Sequence, residues 1–356
     1  MKPHPNVPNF LEDLLKARSP SGYEREAHLV LEKYLNNQVD SYQKDTMGNR
    51  MAMVRGQDGP SLLLAGHMDE LGLQVKYIDK NGFVYFNTLG GHDLGVISGR
   101  RVQILTSTGT VQGVTGKKAV HLMTPEERKK VPKLQDIWID IGAKTEIEAG
   151  KRISIGDPIV YDHGLEHIFD NVWAARAFDD KTGCYVVCET VRQLVSKKNE
   201  LHGSVVAVAT AQEEVGCRGA MISGVSLKPQ IGIAVDVAHA TDHPDCDPRK
   251  HGKTTLGGGP IIYRGPNINP WVFDRLLQCA VEEEIPYQVH AGSHPLGNDS
   301  RALQVAGSGI ATGCVGIPLR YMHTPSELVD MRDLENAVKL LVTFSLKLKL
   351  GDHGVW

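Results

Sequence analysis

The chain has 356 residues, more than one hydrophobic core usually supports, so two domains are the default expectation. Its 39 Lys and Arg against 42 Asp and Glu give a formal net charge of −3, with the basic residues spread along the chain, which excludes an electrostatic case for nucleic acid or an anionic membrane. Met1-Lys2-Pro3-His4-Pro5 opens no signal-peptide core, no apolar run nears the ~20 residues of a spanning helix, and six cysteines without a CxxC pair make no disulfide framework, so a reduced, cytoplasmic protein is expected.

Taken in order, residues 8–38 read as two helices broken at Ser21-Gly22, with Phe10, Leu11, Leu14 and Leu15 on one stripe and Leu29, Leu31 and Tyr34 on the other. Leu62-Leu63-Leu64-Ala65 is a short apolar run that ends in Gly66-His67-Met68-Asp69-Glu70. Strand and turn signals then take over, at 72–77, 82–86, 101–105 and 110–114, and mark an all-β insertion over 71–165. Within it Thr124-Pro125-Glu126-Glu127 has the N-cap, N1 Pro and N3 Glu of one exposed helical turn that Pro132 ends. Residues 182–195 read as a helix, Val205–Ala209 runs into Gln212-Glu213-Glu214, Ile231–Val235 runs into Asp236, and the alternation continues to a final helix near 334–348. Continuous β-branched runs alternating with helices give an α/β fold whose strands are parallel and buried on both faces. The expected division is a catalytic domain of 1–70 and 166–356 split by the β-rich 71–165.

His67, Asp179, Glu214, Asp236 and His323 each stand at the end of a strand-like run, and two imidazoles with three carboxylates read as a dinuclear metal site. In an open α/β sheet, ligands gather beyond the carboxyl ends of the strands, where residues distant in sequence converge. Imidazole and carboxylate suit Zn²⁺ or a similar divalent ion, and the absence of Cys from these positions favours a catalytic over a closed structural site. Other motifs fail: Gly252-Lys253-Thr254 lacks the earlier Gly of a P-loop, and Gly257-Gly258-Gly259-Pro260 is too short for a dinucleotide fingerprint. Asn298-Asp299-Ser300 fits a glycosylation sequon that a protein without a signal peptide would not use. Cys184 and Cys188 share a helical face suited to core packing.

Gly66-His67-Met68-Asp69-Glu70-Leu71-Gly72, Phe178-Asp179-Asp180-Lys181, Gln212-Glu213-Glu214-Val215-Gly216, Val235-Asp236-Val237 and Arg320-Tyr321-Met322-His323 together resemble the tetrahedral aminopeptidases. These are dinuclear zinc exopeptidases that include glutamyl aminopeptidases and proteins labelled endoglucanases, and the resemblance runs from Ser19-Pro20-Ser21-Gly22 to the last helix. It implies a zinc-exopeptidase-like three-layer αβα domain with a mixed sheet, an inserted all-β dimerisation domain, and dimers assembled into a dodecamer. It also implies that Asp179 bridges two metals, with His67 and Asp236 completing one site and Glu214 and His323 the other, and that the Asp179-Asp180 bond is cis. Two divalent ions, three carboxylates and a bridging hydroxide sum to neutrality, as a partly buried site requires.

On this basis Glu213 is the candidate general base and Asp69 the carboxylate that orients His67; the plainer alternatives are a solvated acidic pair and ordinary loop acidity. Lys181 departs from the Arg common in relatives, Asn298-Asp299-Ser300 from a Thr-Asp-Ala pattern, and His243-Pro244-Asp245-Cys246 has no physical account. The expected function is release of the N-terminal residue from short peptides by two-metal activation of a bridging water, with Zn²⁺ or Co²⁺ as the ions. A glycoside hydrolase, which needs two flanking carboxyls and no metal, and a non-catalytic binding protein are the alternatives.

Overall fold

A computed structural model describes residues 7–352 and 354; the opening residues 1–5, read above for a signal peptide, lie outside the described residues. Eight strands form one mixed sheet in the order Ser41–Lys44, Arg50–Val54, Gly203–Thr210, Gly59–His67, Ile231–His239, Ala311–Leu319, Ile261–Arg264 and Gln288–Ala291. The four strands from Gly203–Thr210 to Ala311–Leu319 pair in parallel, and the antiparallel pairings lie toward the edges. Alternation along each central strand feeds two cores: Leu62, Leu64, Val205 and Ala207 point to one, Leu63, Ala65, Val206 and Val208 to the other. The first core is covered by helices Asn9–Lys16, Arg25–Leu35, Phe178–Val195, Pro270–Glu282 and Met331–Lys347, and the second by Arg218–Leu227 and Asp299–Gln304. Helices on both faces explain why these strands are apolar without interruption.

Six strands between Gly72–Ile78 and Pro158–Tyr161 close into a barrel with its own core, in which Val75, Val84, Val102, Ile104, Ile139 and Ile159 are buried. A separate three-stranded sheet joins Glu166–Phe169, Val172–Ala175 and Glu327–Asp330.

Some local expectations change. Leu29 is exposed and Leu31 buried, because two residues on a helix turn by about 200° and cannot share a stripe; the buried face is Ala27, Leu31 and Leu35. The turn Pro125–Arg128 has the capping box expected of Thr124 and Glu127, but it stops before Pro132 is reached. Ile137–Asp140 and Pro158–Tyr161, unread in the sequence, are short barrel strands.

Candidate active site

Parallel pairing brings the candidate side chains to one edge. His67 closes its strand in register with Thr210, which puts the following Glu213 and Glu214 beside it. Asp236 pairs with Gly316 inside the strand Ile231–His239, so the apolar run continues past it through Val237 and Ala238. His323 follows the strand Ala311–Leu319. Asp179 opens Phe178–Val195, where it and Asp180 depart from helical geometry and the bond between them is cis, as the resemblance implies. Five non-glycine residues in these segments are left-handed: Ala177 (φ 60°), Gln212 (58°), Cys217 (53°), Tyr321 (63°) and His323 (63°). Such backbone costs ~1–3 kcal/mol per residue and persists where the surroundings over-determine it.

Asp179 lies between the two imidazoles. Its Oδ1 is 3.2 Å from His67 Nε2 and its Oδ2 is 3.1 Å from His323 Nε2. Asp236 Oδ1 stands 4.0 Å from His67 Nε2, and Glu214 Oε2 3.7 Å from His323 Nε2. His67, Asp179 and Asp236 thus form one group able to hold a cation, and Asp179, Glu214 and His323 a second that shares Asp179. Glu213 faces the first group, its Oε2 3.9 Å from His67 Nε2. Nitrogen and oxygen donors without sulfur suit a divalent ion with open positions. Glu214 Oε1, buried with no hydrogen-bond partner among the described residues, is an acceptor that such an ion would satisfy.

Electrostatics point the same way. Burial, reinforced by Asp179, pushes the Glu214 carboxyl well above the usual range, and burial with Asp179 and Glu213 nearby does the same to Asp236. Burial opposes charge on Asp179 too, but hydrogen bonds from His323 and His67 outweigh it and hold its carboxyl low. Burial would depress His67, yet Asp179 and Asp69 hold its imidazolium well above the ordinary value. Packed carboxylates that resist ionisation together are relieved by cations between them.

Asp69 does more at the backbone than at the imidazole. The partner nearest His67 Nδ1 is the Asp69 carbonyl, at 3.0 Å, with the carboxylate at 3.5 Å. That carboxylate accepts the N–H groups of Glu213 and Glu214 at 3.0 and 3.3 Å and the Ser21 hydroxyl at 2.6 Å. It therefore fixes the direction of the acidic pair.

Three supporting groups escaped sequence reasoning. Glu327 accepts the N–H of Asp179 on Oε2 and that of His323 on Oε1, each at 3.0 Å. Asp180 accepts the N–H of His67 at 3.1 Å. Glu70 takes the Ser19 N–H, the Lys181 ammonium at 2.7 Å and the Arg176 guanidinium; burial opposes its charge, but the two cations bring its carboxyl down to about 2. Lys181 is wholly buried and also reaches the Ala17 carbonyl. The only sequence signal for these contacts is acidity, and their partners are remote in the chain.

A cavity of about 410 Å³ opens onto the gathered imidazoles and carboxylates and extends past Val237, Tyr263, Leu296, Asn298 and Met322, with Arg301 also in its lining. Between residues 255 and 300 the lining side is made by Tyr263, Leu296, Gly297 and Asn298. Arg264 lies over the Phe273 ring, Asn267 bonds Ser300, and Asn269 caps Pro270–Glu282. Gly257 and Gly259 instead give their N–H groups to Asp333, both at 2.7 Å. From the barrel side, the connection through Gly90 (φ 83°) closes on the site, where a Cβ would come 2.3 Å from Leu71 and 3.3 Å from Glu214 Oε2.

An α/β sheet with imidazoles and carboxylates gathered at its carboxyl edge around one aspartate defines a metal-dependent hydrolase. Residues 48–340 match the family model of the M42 glutamyl aminopeptidases, and the chain belongs to that family: it is a metal-dependent aminopeptidase that binds divalent metal. It is 33% identical to the lysyl aminopeptidase of Pyrococcus furiosus over 96% of this chain and 98% of that protein. The TET aminopeptidase of the marine sediment archaeon Thaumarchaeota archaeon SCGC AB-539-E09 superposes with a TM-score of 0.91 at 33% identity, covering 96% of both chains. The Pyrococcus horikoshii TET1 peptidase, which can assemble into a tetrahedron or a large octahedral shell, superposes with a TM-score of 0.85 at 28% identity, covering 96% of this chain and 100% of that one. The family match sets aside the glycoside hydrolase and non-catalytic alternatives.

Proposed function

We propose that the centre is dinuclear and removes the N-terminal residue from short peptides, with Asp179 shared between His67 and Asp236 on one side and Glu214 and His323 on the other. The observation that carries this reading is the Asp179 carboxylate, one oxygen toward each imidazole at 3.2 and 3.1 Å. Zn²⁺ or Co²⁺ held by these five side chains would polarise the scissile carbonyl and lower the pKa of the attacking water. Glu213 takes the proton from the attacking water and returns it to the leaving amine, a contribution of ~10²- to 10⁴-fold in rate. Asp69 keeps Glu213 and Glu214 pointing to different tasks through their N–H groups. The cavity beyond the ligands admits the side chain of the residue to be removed.

The catalytic unit is taken as 1–70 with 166–356, and 71–165 as the unit that makes dimer contacts. Dimers then build a homo-oligomer, the dodecamer being the proposed form; support comes from the likeness to the Pyrococcus horikoshii peptidase. Placement in the cytoplasm is supported by six cysteines that are all unpaired thiols.

Metal analysis of two variants tests the assignment. Glu213→Gln should keep two ions per chain and lose turnover on a panel of aminoacyl chromogenic substrates, whereas Asp179→Asn should lose both ions. Release of metal by Glu213→Gln would overturn the split of roles within the acidic pair, and cleavage of no substrate by the loaded enzyme would overturn the activity itself.

A further inference from the structure

Behind the proposed proton carrier stands a group that the reaction leaves unused. Cys217 Sγ donates to Glu213 Oε1 at 3.0 Å, and a carboxylate oxygen of Asp299 lies within 4.8 Å of ligand atoms on both. All three side chains are buried, Cys217 and Asp299 at 2% and 3% exposure. Asp299 Oδ2 accepts the Thr210 hydroxyl at 2.6 Å, but Oδ1 has no hydrogen-bond partner among the described residues. A buried carboxylate oxygen left unsatisfied is costly, and in a group that includes a thiol and a second carboxylate a cation would satisfy it.

We propose that Glu213, Cys217 and Asp299 form a further cation site, selective for a thiophilic divalent ion such as Zn²⁺, whose occupation withdraws Glu213 from proton transfer and inhibits the enzyme at cation excess. The inhibitory half rests on the reading of Glu213 given above; the binding half does not. Zn–S near 2.3 Å and Zn–O near 2.1 Å set tetrahedral ligands about 3.6 Å apart, so the Cys217 contact opens by only about half an ångström as the ion enters. Entry is from the cavity, which Glu213 lines. On binding, the Sγ–H proton leaves to solvent, and the S–H···O hydrogen bond is replaced by one sulfur and two carboxylate bonds to the ion. The backbone is built for this: Gly216 and Cys217 both donate to the Glu213 carbonyl at 2.8 Å, so the turn fixes the spacing of the first two ligands. Thiolate among the donors favours Zn²⁺, Cd²⁺ or Co²⁺ over Mg²⁺ or Ca²⁺.

Cobalt separates this site from the one described above, whose donors are only nitrogen and oxygen. The metal-free full-length enzyme is titrated with Co²⁺ while near-ultraviolet thiolate-to-cobalt charge transfer and visible bands are followed. The expected result is two equivalents with visible bands alone, then a third that brings the charge-transfer absorption. In Cys217→Ser that absorption vanishes, and in Asp299→Asn the third equivalent binds at least about tenfold more weakly. Within each variant, the ratio of activity at excess Zn²⁺ to activity at two equivalents should rise toward one. No charge transfer in the wild type at excess Co²⁺, or its persistence in Cys217→Ser, overturns the site. Inhibition by excess Zn²⁺ that is unchanged in Cys217→Ser overturns the regulatory role. Failure of the first two equivalents to bind would count instead against the dinuclear reading, and the charge-transfer signal is read independently of it.

Discussion

Glu327 shows how one side chain governs two others without touching a substrate. It is 2% exposed, and its two oxygens hold the N–H groups of Asp179 and His323, residues far apart in the chain. Glu327→Ala frees both donors and leaves the facing imidazole and carboxylate to find their own positions. Metal affinity measured by competition with a chelator should fall about 10- to 100-fold, the usual cost of losing such support. Glu327→Gln keeps one carbonyl oxygen and should lose less; equal affinity in the wild type and Glu327→Ala would sink the positioning role. Asp69 gives a parallel case, since Asp69→Ala frees the Glu213 and Glu214 N–H groups and should lower kcat more than KM, a split that steady-state kinetics reads directly. His67 and Glu214 were visible as polar residues after apolar runs, and Asp236 as the one acid within such a run. Glu327 was not, because nothing local distinguishes an acid that caps two distant backbones from one that meets water.

Among the elements, the strand Gly59–His67 and the helix Phe178–Val195 pack backbone against backbone. A Cβ on Gly66 would lie 2.5 Å from the Gly183 carbonyl carbon, and one on Gly183 would lie 2.4 Å from Asp180 Oδ2. The missing side chain at Gly66 lets the helix that carries Asp179 settle against the strand that carries His67, and Gly183 leaves room for the Asp180 carboxylate and the Val235 carbonyl. Gly66→Ala should therefore cost about 3 kcal/mol in denaturant unfolding and displace the metal ligands, and a loss within 0.5 kcal/mol would show that the contact yields freely. The helix Arg25–Leu35 carries a different device. Burial, aided by Arg50, lowers the His28 imidazole to about 4, and its Nε2 is buried without a partner among the described residues. The unfolded chain, with an ordinary histidine, then binds more protons than the folded one between about pH 4 and 6.5, so His28 makes stability fall as pH drops through that window. Replacing it by Gln should flatten this part of the stability profile measured by thermal unfolding from pH 7 to 4, and an unchanged slope would count against a buried neutral imidazole. Helix existence was readable from the stripes, whereas Leu29 and Leu31 part company because two residues turn a helix by about 200°.

For the molecule as a whole, the proposed metal centre ties together the sheet edge, the start of a helix and the segment after the strand Ala311–Leu319, all of which must be folded for its side chains to meet. Cations that bind the native chain and not the unfolded one stabilise it by mass action, about 4 kcal/mol at a thousandfold excess over Kd. Chelation should lower the unfolding temperature, and Zn²⁺ or Co²⁺ should restore it. An unfolding temperature unaffected by chelation, with metal loss verified by elemental analysis, would mean the ligands hold their places unaided. The barrel brings Gly90 against Glu214, so it touches the site as well as its own core.

The layered α/β plan, the β-rich stretch and the residue types of the site were legible in the order of amino acids, because buried parallel strands demand unbroken apolar runs and a polar residue at such a run stands out. Folding in three dimensions was needed to show which acids support the proposed ligands, which residues of the 255–300 segment enter the cavity, and that Asp299 faces Cys217 and Glu213. Contacts of that kind depend on distances between segments far apart in the chain, and no local pattern of residues encodes them.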